Sequence, residues 1–286
     1  MKTTLTLFFL FSLLLVGACE RKSPRQVGEV RAADGTSIRY EAAGQGDTAL
    51  VFIHCWACNR HYWDGQWKDF ERDNQVVTLD LGGHGESGKA RTEWKVEGLV
   101  QDVTAVMDRL KLKRVILVGH SMGGPLALAV AKARPGIVQG VVCVDTLQDA
   151  EAPPPTEQME KAAQQMESDF PKVLKEFLPN YFPKSADPKI VAWVIDQASK
   201  TDPKVAAGLM RDMAHGDLKA LLAAVKVPVR CISSSEKLMG LVNKPEINRK
   251  YADFEVIEMS GVGHFPQLEK PAEFNGWLRQ ILEQLD

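Results

Sequence analysis

The 286-residue sequence is short of several things, and each shortage removes a class of function. It carries no basic run longer than a few residues and its net charge is only −2, so nucleic acid is not an expected partner. Five cysteines occur. The C-x-x-C of Cys55 and Cys58 invites a redox or zinc reading, but it has no second pair at a spacing that would complete a zinc site. The N-terminal apolar run, Leu5 to Val16, is too short to span a bilayer comfortably. Internal repeats and low-complexity segments are missing. What remains is a chain with 45% hydrophobic residues and balanced charge, large enough for a full core in one domain or one domain with an insert.

Strand and helix text alternates from Gly28 onward. Glu29–Ala32 and Ser37–Glu41 read as strands joined by an Asp34-Gly35 turn. Ala49–Ile53 is a continuous apolar run, as expected of a strand covered on both faces. Gln75–Asp80 is the next strand, and Val96–Leu110 carries Leu99, Val103, Val106 and Leu110 at helical spacing. Arg114–Val118, Val138–Val144, Val227–Ile232 and Phe254–Met259 complete the strands, and a helix from Pro271 to Leu285 closes the chain. Such alternation implies an α/β fold with a doubly wound, mostly parallel sheet. It stops between 150 and 224, where the text is helical, polar and punctuated by prolines. That segment is expected as a helical cap inserted into a core of residues 28–149 and 225–286.

Within this frame one turn is chemically distinctive. The strand ending at Val118 runs into Gly119-His120-Ser121-Met122-Gly123-Gly124, and a helix opens around Pro125, where no amide donor is needed. The two glycines flanking Ser121 let strand and helix cross without β-carbon clashes. The serine is left at a helix N-terminus, whose amides favour developing negative charge. A bland alternative exists, a Gly-rich turn that merely packs. Strand, Gly-x-Ser-x-Gly and helix together, however, resemble the nucleophile elbow of the α/β-hydrolases.

That resemblance implies the rest of a serine hydrolase site. The base is expected at His264, on the loop Gly261-Val262-Gly263-His264 after the last strand; its flank, Gln267-Leu268-Glu269-Lys270-Pro271, also resembles the family. The oxyanion hole is expected from the amides of Met122, which follows the nucleophile, and of Trp56, in the loop His54-Cys55-Trp56. Relatives usually have glycine where this chain has Cys55. The acid is open between two candidates. Lys237 stands where relatives usually have it, with Glu236 one residue away, whereas Asp145 ends the strand after the one bearing Ser121. Asp145 is favoured. Asp80-Leu81-Gly82-Gly83-His84-Gly85-Glu86-Ser87 resembles a structural turn of the same family. His54, His84 and His120 read as loop-orienting residues, and His61 and His215 as surface or cap residues. Trp56, Tyr62, Trp63 and Trp67 read as core packing or as the lining of an acyl pocket.

The N-terminus adds an address. Lys2, the apolar run and Val16-Gly17-Ala18-Cys19 resemble a bacterial lipoprotein signal, implying cleavage after residue 18, lipidation of Cys19 and a tether over 19–27. Glu20 in place of aspartate points to the outer membrane. An exported chain meets oxidising conditions, in which Cys55 and Cys58 can pair; Cys143 and Cys231 sit in apolar strands as small core residues. The expectation is an enzyme cleaving a small-molecule carboxylic ester or related acyl bond, with no cofactor or metal and with a membrane contact through its lipid anchor. A thioesterase, lactonase or carbon–carbon hydrolase on the same triad is the alternative within enzymes. A non-catalytic binding protein on the same fold is the alternative outside them.

Overall fold

The structure is a computed structural model that describes residues 24–285. The signal segment and Cys19 lie outside the described residues. No described helix is long and apolar enough to cross a membrane.

Eight strands form one sheet in the order β1-β2-β4-β3-β5-β6-β7-β8. They are β1 (Gln26–Arg31), β2 (Ser37–Ala43), β3 (Ala49–Ile53), β4 (Gln75–Leu79), β5 (Val115–His120), β6 (Val138–Val144), β7 (Val229–Ser234) and β8 (Phe254–Met259). β2 runs antiparallel to both its neighbours, and the strands from β4 across to β8 are all parallel. The sheet is therefore mostly parallel, and its central strands are apolar throughout because both faces are covered. Every residue of β3 and β5 is buried.

The helices are α1 (Trp67–Phe70), α2 (Val96–Arg109), α3 (Gly123–Ala133), α4 (Thr156–Phe177), α5 (Pro188–Ala198), α6 (Pro203–Met213), α7 (Leu218–Ala224), α8 (Pro245–Asn248), α9 (Pro266–Glu269) and α10 (Pro271–Leu285). One face of the sheet packs Val51, Leu117 and Val141 against Leu99, Val103 and Val106 of α2 and Leu126 and Val130 of α3. The other packs Phe52, Ile116 and Val142 against Trp63, Trp67 and α10's Phe274, Leu278 and Ile281. A third apolar cluster joins α4, α5 and α6 to Cys55, Ala57, Cys58 and Tyr62. α4 breaks at Asp169, which has non-helical φ/ψ (−152°, 76°) two residues before Pro171, whose ring nitrogen has no N–H for the helix ladder. Asp187 and Asp202 cap α5 and α6 by accepting from Lys189 and Lys204 amides, each helix then beginning with proline.

Within the segment 150–224, α4 and α6 pack on each other, whereas α7 packs on α3 with its Leu222 fully buried. β5 runs to His120, past the expected end at Val118, because His120 still pairs with Val144 of β6.

Candidate active site

The site stands at the carboxyl ends of β3, β5, β6 and β8. The loops leaving these parallel strands all open on the same edge, where ligand sites of α/β sheets form.

Ser121 adopts φ +53°, a left-handed conformation that costs a non-glycine residue about 1–3 kcal/mol. The surroundings hold it there. Its amide donates to Val144 O (2.9 Å), and its carbonyl accepts from Gly124 N (2.9 Å). A β-carbon on Gly119 would collide with the carbonyl of Gly123, and one on Gly123 would lie 2.6 Å from Ile53 O. Both glycines are therefore required by close approach.

Asp145 follows β6, and its own amide donates to Ile232 O of β7 (2.9 Å). One carboxylate oxygen lies 2.6 Å from His264 Nδ1, and the other accepts from the Ser234 amide (2.9 Å). Of the two candidate acids this is the one at the imidazole. Glu236 is exposed and accepts from the Gly261 amide at 3.2 Å. With Nδ1 committed to Asp145, Nε2 of His264 makes no hydrogen bond among the described residues.

Ser121 and His264 line one cavity of about 190 Å³ with Trp56, Met122, Phe177 and Tyr181, among others. Among the described residues, neither the Met122 nor the Trp56 amide has a backbone acceptor. Both residues border the cavity at the serine, one at the start of α3 and the other after β3. Of the aromatic group, Tyr62, Trp63 and Trp67 are buried packing residues, and Trp56 lines the cavity.

Several residues hold His264 in ways that have no local sequence signal. The His264 amide donates to Tyr181 O (2.8 Å), in the 3-10 turn after α4. The Tyr181 ring lies 4.8 Å from the His264 ring, and burial pushes its phenol up to about 12. A β-carbon on Gly263 would strike the Tyr181 carbonyl and lie 2.9 Å from Phe182 Cα. The Glu269 carboxylate accepts from the amides of Gly263 (2.9 Å) and Phe265 (3.1 Å), bracing the loop on both sides of His264. Burial is the largest influence on this carboxyl and raises its pKa. The conspicuous flank after His264 contained Glu269, but nothing in it indicated the brace.

The buried histidines act as fixed, neutral struts. Burial lowers His120 well below its ordinary value, so its Nε2–H donates to His264 O (2.6 Å) while Nδ1 accepts from Gln267 (3.2 Å). Burial brings His54 down to about 4; it donates through Nδ1 to Cys55 O (2.7 Å) and accepts the Leu81 amide (3.0 Å). His84, lowered by burial to about 3, holds Gly82 O. His61 instead pairs with exposed Asp64, and His215 is exposed. Asp80 is fully buried and accepts from the Arg60 and Glu86 amides and the Arg60 guanidinium, which joins the turn of residues 80–88 to the segment after β3.

A sequence model of the family described as the alpha/beta hydrolase fold matches residues 48–188. The AB hydrolase superfamily protein YisY of Bacillus subtilis (strain 168) is 23% identical over 265 residues, spanning 88% of this chain and 97% of that protein. Among solved structures, an esterase from Exiguobacterium antarcticum superposes with TM-score 0.81 at 19% identity, covering 90% of this chain and 100% of that one. Est816, described as an N-acyl homoserine lactone degrading enzyme, superposes with TM-score 0.74 at 27% identity, covering 88% of this chain and 99% of its own.

Proposed function

Because the chain belongs to the α/β-hydrolase fold superfamily and is a hydrolase, we propose that it cleaves small carboxylic esters through an acyl-enzyme on Ser121. The observation that carries this reading is the meeting of the strained Ser121 elbow and His264 in one cavity, with His264 Nδ1 held at 2.6 Å by Asp145.

In this scheme His264 Nε2 takes the hydroxyl proton as Ser121 attacks the ester carbonyl. Asp145 keeps the proton on Nδ1 and stabilises the imidazolium. The Met122 and Trp56 amides receive the oxyanion. His264 then protonates the leaving alcohol, and a water activated by the same nitrogen releases the acid. The missing hydrogen bond from Ser121 to Nε2 is ordinary for a site without substrate, where catalytic bonds tighten on binding.

The cavity also supports a substrate class. It is lined by Met159, Phe177, Leu178, Met210, Met213 and Phe265, and no Asp, Glu, Lys or Arg is among its lining residues. A volume near 190 Å³ suits a short acyl, small aryl or compact cyclic group and leaves little room for a long chain. The likeness to Est816 motivates including lactones. In a p-nitrophenyl ester series from acetate to palmitate, kcat/KM should peak at the short end and fall at least about tenfold by the longest chain. A fluorophosphonate probe should label the wild type at Ser121. Absence of both labelling and turnover would favour a binding protein on this fold.

We also propose that the protein is held at the bacterial cell envelope by a lipid on Cys19, supported by the small residues before that cysteine. Metabolic labelling with a palmitate analogue should tag the wild type and not Cys19→Ser. An unlabelled wild type recovered in the soluble periplasm would replace the anchor with simple export.

A further inference from the structure

The oxyanion loop carries a chemical group that acyl transfer does not use. Cys55 and Cys58 are joined by a disulfide, with their Cα atoms 5.2 Å apart. The bridge brackets Trp56, whose free amide faces the oxyanion role. Inside it Ala57 sits at φ +56°, a left-handed conformation that persists in a residue with a side chain only where the surroundings hold it. Little else fastens this backbone at the Trp56 amide. The Cys55 carbonyl receives the Cys58 amide (3.2 Å) and the His54 ring (2.7 Å), and the Trp56 indole reaches Ala206 O (2.9 Å). All three contacts position neighbours of the peptide N–H; the covalent ring encloses it.

The location of the sulfurs matters equally. Both cysteines are only 3% exposed, so bulk solvent hardly touches them, yet Cys55 lines the cavity that holds Ser121. A reagent small enough to reach the serine is thereby brought against Cys55. By contrast, Cys143 and Cys231 are free thiols buried within the sheet.

We propose that Cys55–Cys58 is a thiol–disulfide exchange site, entered through the substrate cavity, whose oxidised form holds the Trp56 amide in its oxyanion position. The co-reactant is a small dithiol. Its thiolate attacks Cys55 Sγ, the S–S bond breaks, and the electron pair leaves with Cys58, which takes up a proton. The reagent's second thiolate then attacks the mixed disulfide and releases Cys55 as a thiol. Two electrons pass from reagent to protein, and the reagent leaves as a cyclic disulfide. The opened loop loses the ring that fixes the oxyanion donor. The same exchange run backwards by a disulfide oxidant restores it.

This proposal rests on the Ser121 reading, and the experiment separates the two. Purified full-length protein is assayed on a short p-nitrophenyl ester before dithiothreitol treatment, after it, and again after reoxidation, with thiols counted by alkylation and mass spectrometry. The expected result is a fall in kcat of about tenfold or more on reduction, KM within about twofold, and recovery on reoxidation, because an oxyanion donor acts mainly in the transition state. A Cys55→Ser/Cys58→Ser variant with a native circular dichroism spectrum should match the reduced wild type and ignore dithiothreitol. Fluorophosphonate on Ser121 should slow reduction of the bridge. Undiminished kcat in fully reduced wild type overturns the proposal while leaving the hydrolase reading intact. Equal reduction rates with and without the phosphonate overturn the cavity route. An oxidised wild type that hydrolyses no ester overturns both readings together.

Discussion

Ser121→Ala and His264→Ala should each lower kcat on an activated ester at least about a thousandfold, and the double variant should be scarcely slower than either single one. The expectation follows from the elbow. The backbone around Ser121 is held by Val144 O, Gly124 N and the close crossing of Gly119 with Gly123, none of which involves the hydroxyl. Alanine therefore removes the nucleophile and leaves the left-handed turn in place. His264 is held through its amide by Tyr181 and through its carbonyl by His120, so truncating its ring leaves those two contacts standing. Near-native thermal midpoints with lost turnover would be the signature. Retained turnover in Ser121→Ala, with contaminating esterases excluded, would remove the acyl-enzyme scheme.

The second large effect concerns Asp145. Its two oxygens face two donors, the His264 Nδ1–H and the Ser234 amide. A carboxylate only accepts, so it satisfies both at once; an amide has one acceptor oxygen and one NH₂. In Asp145→Asn the NH₂ must therefore point either at the Ser234 amide, which breaks the loop's mounting, or at His264 Nδ1. The latter stabilises the tautomer with its proton on Nε2, where Ser121 needs a base. In a serine protease the corresponding change costs about four orders of magnitude. We expect a loss in kcat of at least about a hundredfold for Asp145→Asn, and a change within about tenfold for Glu236→Gln, whose carboxylate hydrogen-bonds among the described residues to the exposed Gly261 amide alone. Steady-state kinetics on one ester decides the order. A larger loss in Glu236→Gln would transfer the acid's role to it.

The strands were legible because parallel strands covered on both faces must be apolar end to end, and Ala49–Ile53 and Val138–Val144 announce themselves that way. Ser121 was legible for a related reason, since a crossing that tight leaves glycines in the chain. Which carboxylate meets His264 was not, because that depends on which strand lies beside which. Only with β6 set between β5 and β7 does Asp145 stand across from Ser234 and within reach of the loop after β8. The mounting of His264 was hidden more deeply. Tyr181 contributes through its carbonyl, a group every residue has, so no residue type marks the position. Glu269 lies in the flank that resembles the family, and nothing in that stretch of sequence marks it as a brace for the amides of Gly263 and Phe265. α7 reads like the helices before it, and it is the packing of α7 on α3 that the sequence pattern did not announce.

The seat of His264 against Tyr181 bears on how this protein can diversify. A lid resting loosely over a catalytic edge can be exchanged between relatives, altering what is accepted while the chemistry continues unchanged. Here His264 hangs from the carbonyl of Tyr181, and Gly263 leaves no clearance beneath that segment. Gatekeeper and engine share a part. Substitutions in the stretch from Phe177 to Pro183 should therefore trade selectivity against speed, and transplanting it into a relative should slow turnover even on substrates that both parents accept.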